Sequence, residues 1–212
     1  MLTDAQCLDL MSRLGAAFPD ARAPDSKGGG DPFRSVVSCM LSAQSLDRNT
    51  AAASRALFAL AATPEGILAL SEDQIATAIR PCGLYNVKTR NLRRMCRALI
   101  DDHGGTVPRT RAGLMSLPGV GRKCADIVLS FTFGEAVVAV DTHVHRVCNR
   151  TGLASGKTEE QTAKSLDIRI PDAFRRRGHV LILAHGKQVC KSRAPRCDTC
   201  ILADLCEGRT KT

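Results

Sequence analysis

The sequence has no tryptophan, one tyrosine and six phenylalanines in 212 residues. That supply of rings is too small for a stacking platform that would hold single-stranded nucleic acid. No apolar run approaches the length of a membrane span. The opening stretch MLTDAQCLDLMSRLGAAF carries Asp4 and Asp9 where a secretory signal would be basic. A cytoplasmic protein is expected, nucleoid-associated if it binds DNA. Strand-like sequence is nearly missing as well. The run AVVAV at 136–140 is short and solitary and cannot build a sheet, so the expected fold class is all-α. No internal repeat or low-complexity tract stands out.

What is present is positive charge and cysteine. Thirty Lys and Arg against twenty-one Asp and Glu give a formal charge of +9. The cations gather at 92–97, at Arg175, Arg176 and Arg177, and in the tail after Cys190. An acidic polymer suits such a surface, although a basic surface without a ligand would look the same. Of the ten cysteines, Cys7, Cys39, Cys82, Cys96, Cys124 and Cys148 lie in helical, largely apolar contexts and read as small core residues. The other four crowd the C-terminus.

Helix starts are frequent. Thr3 with Gln6, Ser71 with Gln74 and Thr158 with Gln161 each fit the capping box, in which a hydroxyl and an amide side chain satisfy each other's backbone N–H groups. DPFRSVVSCMLSAQ opens with a capping Asp31 and with Pro32 at the first helical position. Phe33, Val36, Val37, Met40 and Leu41 then share a face, and the helix ends in a polar tip at Ser42 and Gln44. Further helical patterns cover 47–61, 87–101, 111–117, 122–133, 141–151 and 171–185. The Gly-, Pro- and charge-rich stretch 20–32 reads as a linker, and a second break falls near Gly134 and Glu135. Two lobes follow from these breaks.

The tail CKSRAPRCDTCILADLC spaces Cys190, Cys197, Cys200 and Cys206 by six, two and five residues. Four thiolates in so short a loop can converge on one centre. A single C-x-x-C, where structural zinc sites more often pair two close knuckles, favours an iron-sulfur cubane and leaves zinc as the alternative. Lys191, Arg193 and Arg196 fall inside the first ligand loop, where a rigid centre would hold them as an array for phosphates.

LPGVGRKCAD at 117–126 poses a sharper question. Gly119 and Gly121 mark a turn whose backbone N–H groups can approach a phosphate, and a helix starts near Arg122. Lys123 therefore stands in a first helical turn, where the partial positive charge of unpaired N–H groups is unfavourable to an ammonium. By itself it would be a phosphate contact or a solvated charge. Eighteen residues on, VDTHVHRVCNR places Asp141 at a helix start, where it serves as an N-cap and can also offer an oxygen to a cationic reaction centre.

The run LPGVGRKCADIVLSFTFGEAVVAVDTHVHRVCNRTGLA, together with LSAQ at 41–44, GLYNVK at 83–88 and the four-cysteine tail, resembles the endonuclease III family of helix-hairpin-helix DNA glycosylases. The likeness runs from about Asp31 to Cys206. It implies two helical lobes, a six-helix barrel over 25–135 and a discontinuous cluster domain formed by 1–24 and 136–212, with the active site in the cleft between them. It implies that Lys123 is the nucleophile, whose neutral amine attacks the anomeric carbon of a damaged nucleotide, expels the base and forms a Schiff base with the sugar. The helix start and neighbouring Arg122 would favour that neutral amine. Asp141 would stabilise the developing sugar cation. Gln44 and Leu84 would be wedges that fill the duplex where the damaged base was extruded. Gly119 and Gly121 would meet backbone phosphate, and the four tail cysteines would hold a [4Fe-4S] cluster. The implied partner is damaged double-stranded DNA, bound by a monomer that removes oxidised pyrimidines and then acts as an abasic-site lyase.

Two positions depart from the family pattern. Asp126 stands where Asn is common, which would add a carboxylate near Lys123, and His145 replaces a usual aromatic. Both bear on substrate range more than on reaction class. An adenine-mismatch glycosylase is the nearest alternative, but it would normally lack the lysine nucleophile. A non-catalytic DNA-binding module would not need both Lys123 and Asp141, and a ferredoxin-like electron carrier would leave most of the chain unexplained.

Overall fold

The computed structural model describes residues 1–22 and 30–208. All regular structure among these residues is helical. AVVAV at 136–140 forms no regular element, and its Ala139 carbonyl lies 2.8 Å from Nδ1 of His179. The chain divides into two compact units, Met1–Ala23 with Glu135–Thr212, and Pro24–Gly134. The expected linker at 20–32 falls mostly on 23–29, outside the described residues.

The unit Pro24–Gly134 contains helices α2 (Pro32–Ser42), α3 (Asp47–Leu60), α4 (Pro64–Ala69), α5 (Glu72–Ile79), α6 (Tyr85–His103), α7 (Arg111–Ser116) and α8 (Arg122–Phe131). The Asp31 carboxylate accepts from the amides of Phe33 and Arg34 at 2.8 and 3.1 Å, which starts α2 as its sequence predicts. Burial of α2 goes beyond the predicted single face. Ser35, Ser38 and Cys39 are buried along with the apolar residues, because α2 packs against α3, α6 and α8. Leu57, Ile67, Ile75, Ile79, Leu92, Met95, Leu99 and Leu114 complete the core around it. Helix α4 lies outside the helical patterns above, although its signals, a Thr63 cap and Pro64 at the first position, are present in the sequence.

The other unit contains α1 (Asp4–Ala17), α9 (Thr142–Thr151), α10 (Glu159–Arg169), a 3₁₀ turn (Asp172–Phe174) and α11 (Arg175–Gln188), followed by the cysteine loop. The helical pattern expected over 171–185 thus begins as a 3₁₀ turn. Leu10, Met11, Leu14, Val144, Val147, Leu166, Leu181, Ile182 and Leu202 form its core. The Thr3 and Ser71 capping boxes close in both directions. At Thr158 only half forms, since the Gln161 side chain accepts from the amide of Lys157, one residue upstream of the cap. The six cysteines read as core residues are buried.

Candidate active site and cysteine centre

The hairpin is built by α7 and α8 with the turn 117–121 between them. Gly119 has φ of +83°, and a Cβ there would come within 3.1 Å of both Asn91 Cβ and Met40 Sδ. Only glycine fits this backbone and this close packing against α6 and α2. Gly121 is the N-cap of α8 and supplies no capping side chain, so the amides of the first turn are not covered from within the cap. A Cβ at Gly121 would meet nothing within 4 Å, so the turn is open on that side. Lys123 extends from this first turn and is exposed.

Asp126, one turn on, is fully buried. Its Oδ1 accepts from Nε of Arg111 on α7 at 2.6 Å, and its Oδ2 lies 3.4 Å from Nε of Arg122. The carboxylate expected near Lys123 is therefore turned inward. It joins the two hairpin helices and offsets the charge of Arg122, whose cation was expected to act on Lys123.

Asp141 caps α9. Its Oδ1 takes both capping bonds, from the amides of His143 at 3.0 Å and Val144 at 2.8 Å, and Oδ2 is not used by the cap. Asp141 belongs to the unit with the cysteine loop, Lys123 to the other. His145 bonds through Nδ1 to Thr162 on α10 at 2.8 Å and so ties α9 to α10.

Gln44 and Leu84, distant in sequence, come together in Pro24–Gly134. Both are exposed, Leu84 at 58%, and both have left-handed backbone, with φ of 50° and 57°. The carbonyl of Gln44 passes so close to Gly83 that a Cβ there would sit 3.0 Å from it.

Cys190, Cys197, Cys200 and Cys206 line one cavity of about 280 Å³, together with Arg150 and His185. The Arg150 guanidinium donates to Cys190 Sγ at 3.6 Å and to the carbonyls of Lys191 and Ser192, and the carbonyl of Arg150 accepts from Cys206 Sγ at 3.3 Å. Arg146 donates to the Cys190 carbonyl at 2.9 Å, and Nε2 of His185 is 3.7 Å from Cys200 Sγ. Burial pushes the Cys206 thiol above its ordinary value, and the other three cysteines push it the same way. Among the described residues no three such side chains are gathered tightly enough for a single metal ion. Lys191, Arg193 and Arg196 are exposed on this loop.

Residues 37–171 match the family described as HhH-GPD superfamily base excision DNA repair protein. The chain belongs to the HhH-GPD superfamily. The matched span contains Gln44, Leu84, the hairpin, Lys123 and Asp141, and ends before the cysteine loop. Whole-chain relatives extend further. Endonuclease III of Escherichia coli K12 is 40% identical over 210 residues, covering 99% of both chains. Endonuclease III of Haemophilus influenzae Rd is 42% identical over 180 residues, 85% of each. Among solved structures, a trapped covalent intermediate of endonuclease III with DNA superposes with a TM-score of 0.90 at 36% identity, covering 98% of this chain and 97% of that one.

Within this HhH-GPD chain, sequence reasoning missed three residues that organise the loops. Arg150 and Arg146 hold the first cysteine loop from α9, and nothing in their local sequence identifies that partner. Lys88 was quoted only as part of GLYNVK. It falls on the buried face of α6, in register with Leu92, Met95 and Leu99, and a charge at a core position of a helical pattern is a readable sign of an internal partner.

Proposed function

We propose that this chain is a base-excision-repair DNA glycosylase with abasic-site lyase activity, acting as a monomer on oxidised pyrimidines in duplex DNA. The observation that carries the reading is the exposed Lys123 on the first turn of α8, directly after a glycine turn whose geometry only glycine permits. The neutral Nζ attacks C1′ of the damaged nucleotide. An N–C bond forms as the glycosidic bond breaks, and the base departs with the bonding pair and takes up a proton. Ring opening gives the Schiff base. Loss of a C2′ proton then expels the 3′-phosphate by β-elimination, and water hydrolyses the imine to free the amine. Asp141 supports the positive charge on the sugar with the carboxylate oxygen that its cap leaves over. Gln44 and Leu84 fill the space of the extruded nucleotide, and the open hairpin turn and the cations Lys191, Arg193 and Arg196 contact phosphates.

The donor set suits a [4Fe-4S] cluster held by Cys190, Cys197, Cys200 and Cys206. A lone tetrahedral zinc would need its sulfurs drawn to about 3.8 Å from one another, given Zn–S bonds of ~2.3 Å. Four thiols around a cavity of about 280 Å³ suit a larger, polynuclear centre. When bound, the cluster supplies rigidity to a loop with little apolar core.

Sodium borohydride reduction in the presence of duplexes carrying oxidised, deaminated and abasic lesions tests the reading. A covalent enzyme–DNA product on oxidised pyrimidine and abasic duplexes is expected. Base release with no trapped product on any of them would reduce the activity to a monofunctional glycosylase.

A further inference from the structure

The backbones of Gln44 and Leu84 occupy a region that non-glycine residues keep only where their surroundings hold them. One residue links the segments that carry them. Lys88 lies one turn after Leu84 on α6, its amide bonded to the Leu84 carbonyl at 3.0 Å. Its Nζ donates to the carbonyls of Leu41 at 2.8 Å and Ala43 at 2.7 Å, at the end of α2 and immediately before Gln44. A helix end leaves such carbonyls without helical partners, and here an ammonium supplies them.

Lys88 is 5% exposed. Burial lowers its ammonium below the ordinary value, so the position carries an electrostatic cost that an apolar chain of the same length would avoid. Packing alone does not explain a lysine here. The close pass of Gly83 and the Gln44 carbonyl is a second, independent contact between the same two loops.

We propose that Lys88 is the positioning residue for both wedges, its ammonium locking the loop that carries Gln44 onto the helix start that carries Leu84, so that the two side chains enter the duplex as one unit. The proposal rests on the wedge reading given above. It predicts that Lys88 matters where a paired base must be extruded and much less where no base has to leave the stack.

The test uses full-length, cluster-loaded enzyme and two duplexes, one with thymine glycol opposite 2-aminopurine and one with an abasic site. Single-turnover excision, 2-aminopurine fluorescence and borohydride trapping are read for wild type, Lys88→Met, Gln44→Ala, Leu84→Ala, Gly83→Ala and the Lys88→Met/Gln44→Ala pair. Lys88→Met is expected to lose about tenfold or more on the paired lesion and less than about threefold on the abasic site, with the fluorescence rise lost. The double variant should be little worse than its weaker parent, because both changes remove one function. A folded Lys88→Met with wild-type fluorescence, or losses that simply multiply, overturns the proposal. Should Lys88→Met fail to fold, Gly83→Ala perturbs the same junction with Lys88 intact, since its Cβ forces the Gln44 carbonyl to move. Gly83→Ala should show the same selective loss, and wild-type behaviour in it overturns the proposal. If Gln44→Ala and Leu84→Ala themselves spare the paired lesion, the wedge reading fails and the Lys88 proposal falls with it. If they are selectively impaired while Lys88→Met is not, the proposal alone fails.

Discussion

The Asp126 carboxylate on α8 accepts a hydrogen bond of 2.6 Å from Arg111 on α7, so the two helices of the hairpin are joined by an ion pair whose acidic member is fully buried. Arg122, next to Lys123, lies on the other carboxylate oxygen. The helix that presents Lys123 is therefore anchored from its inner side to the helix before it.

Removing that carboxylate should loosen the hairpin. Asp126→Ala leaves two guanidiniums without their shared acceptor and is expected to cost roughly 2–4 kcal/mol, toward the lower end because the Arg111 side chain is about one-third exposed. Chemical denaturation measures it. Asp126→Asn keeps the shape and one acceptor oxygen and should cost less. Equal, negligible losses in both would show that the pair does not hold the hairpin.

Lys123→Gln should reduce borohydride trapping and strand cleavage to background while retaining selective binding to lesion duplex, because the hairpin turn, Gln44 and Leu84 remain. Mobility shift and trapping on the same duplex separate the two. Trapping at the wild-type rate would place the nucleophile elsewhere.

Asp141→Asn should keep α9 capped, since an amide oxygen can accept the bonds from His143 and Val144. Its effect should be on rate, a loss of roughly a hundredfold or more in single-turnover excision with binding preserved. Asp141→Ala should add about 1 kcal/mol of lost stability from the missing cap. A rate loss seen only in Asp141→Ala would reduce this residue to its cap.

For the cysteine centre, the expected preparation is brown, with about four iron and four sulfide per chain. Cys200→Ser should lose visible absorption and make the tail sensitive to proteolysis. A colourless protein from anaerobic purification, with one zinc per chain, would contradict the cluster.

Charge reversal at Arg193 should weaken binding to damaged and undamaged duplex alike and lower the slope of log K against log salt by about one. Arg150→Ala, which removes bonds to Lys191 and Ser192, should weaken binding in the same sequence-independent way by freeing the loop.

The sequence by itself determined most helix starts, the cysteine set and the place of Lys123. These depend on residues a few positions apart: the Asp31 cap with Pro32, the Thr3 and Ser71 boxes, and the turn glycines before α8. The Thr63–Pro64 signal at the start of α4 shows the same locality. Tertiary structure alone decided which way Asp126 faces, what Lys88 binds and what holds the cysteine loop. A carboxylate one helical turn from Lys123 could have opposed it in space. Packing of α7 against α8 turned it inward instead, because Arg111 offered a partner there. Likewise Lys88 acquires its role from carbonyls more than forty positions earlier, and Arg150 from a loop some forty positions later. Capping bonds close within one turn and leave a local pattern. A buried charge takes whichever partner the fold brings to it, and the chain around it carries no record of which that is.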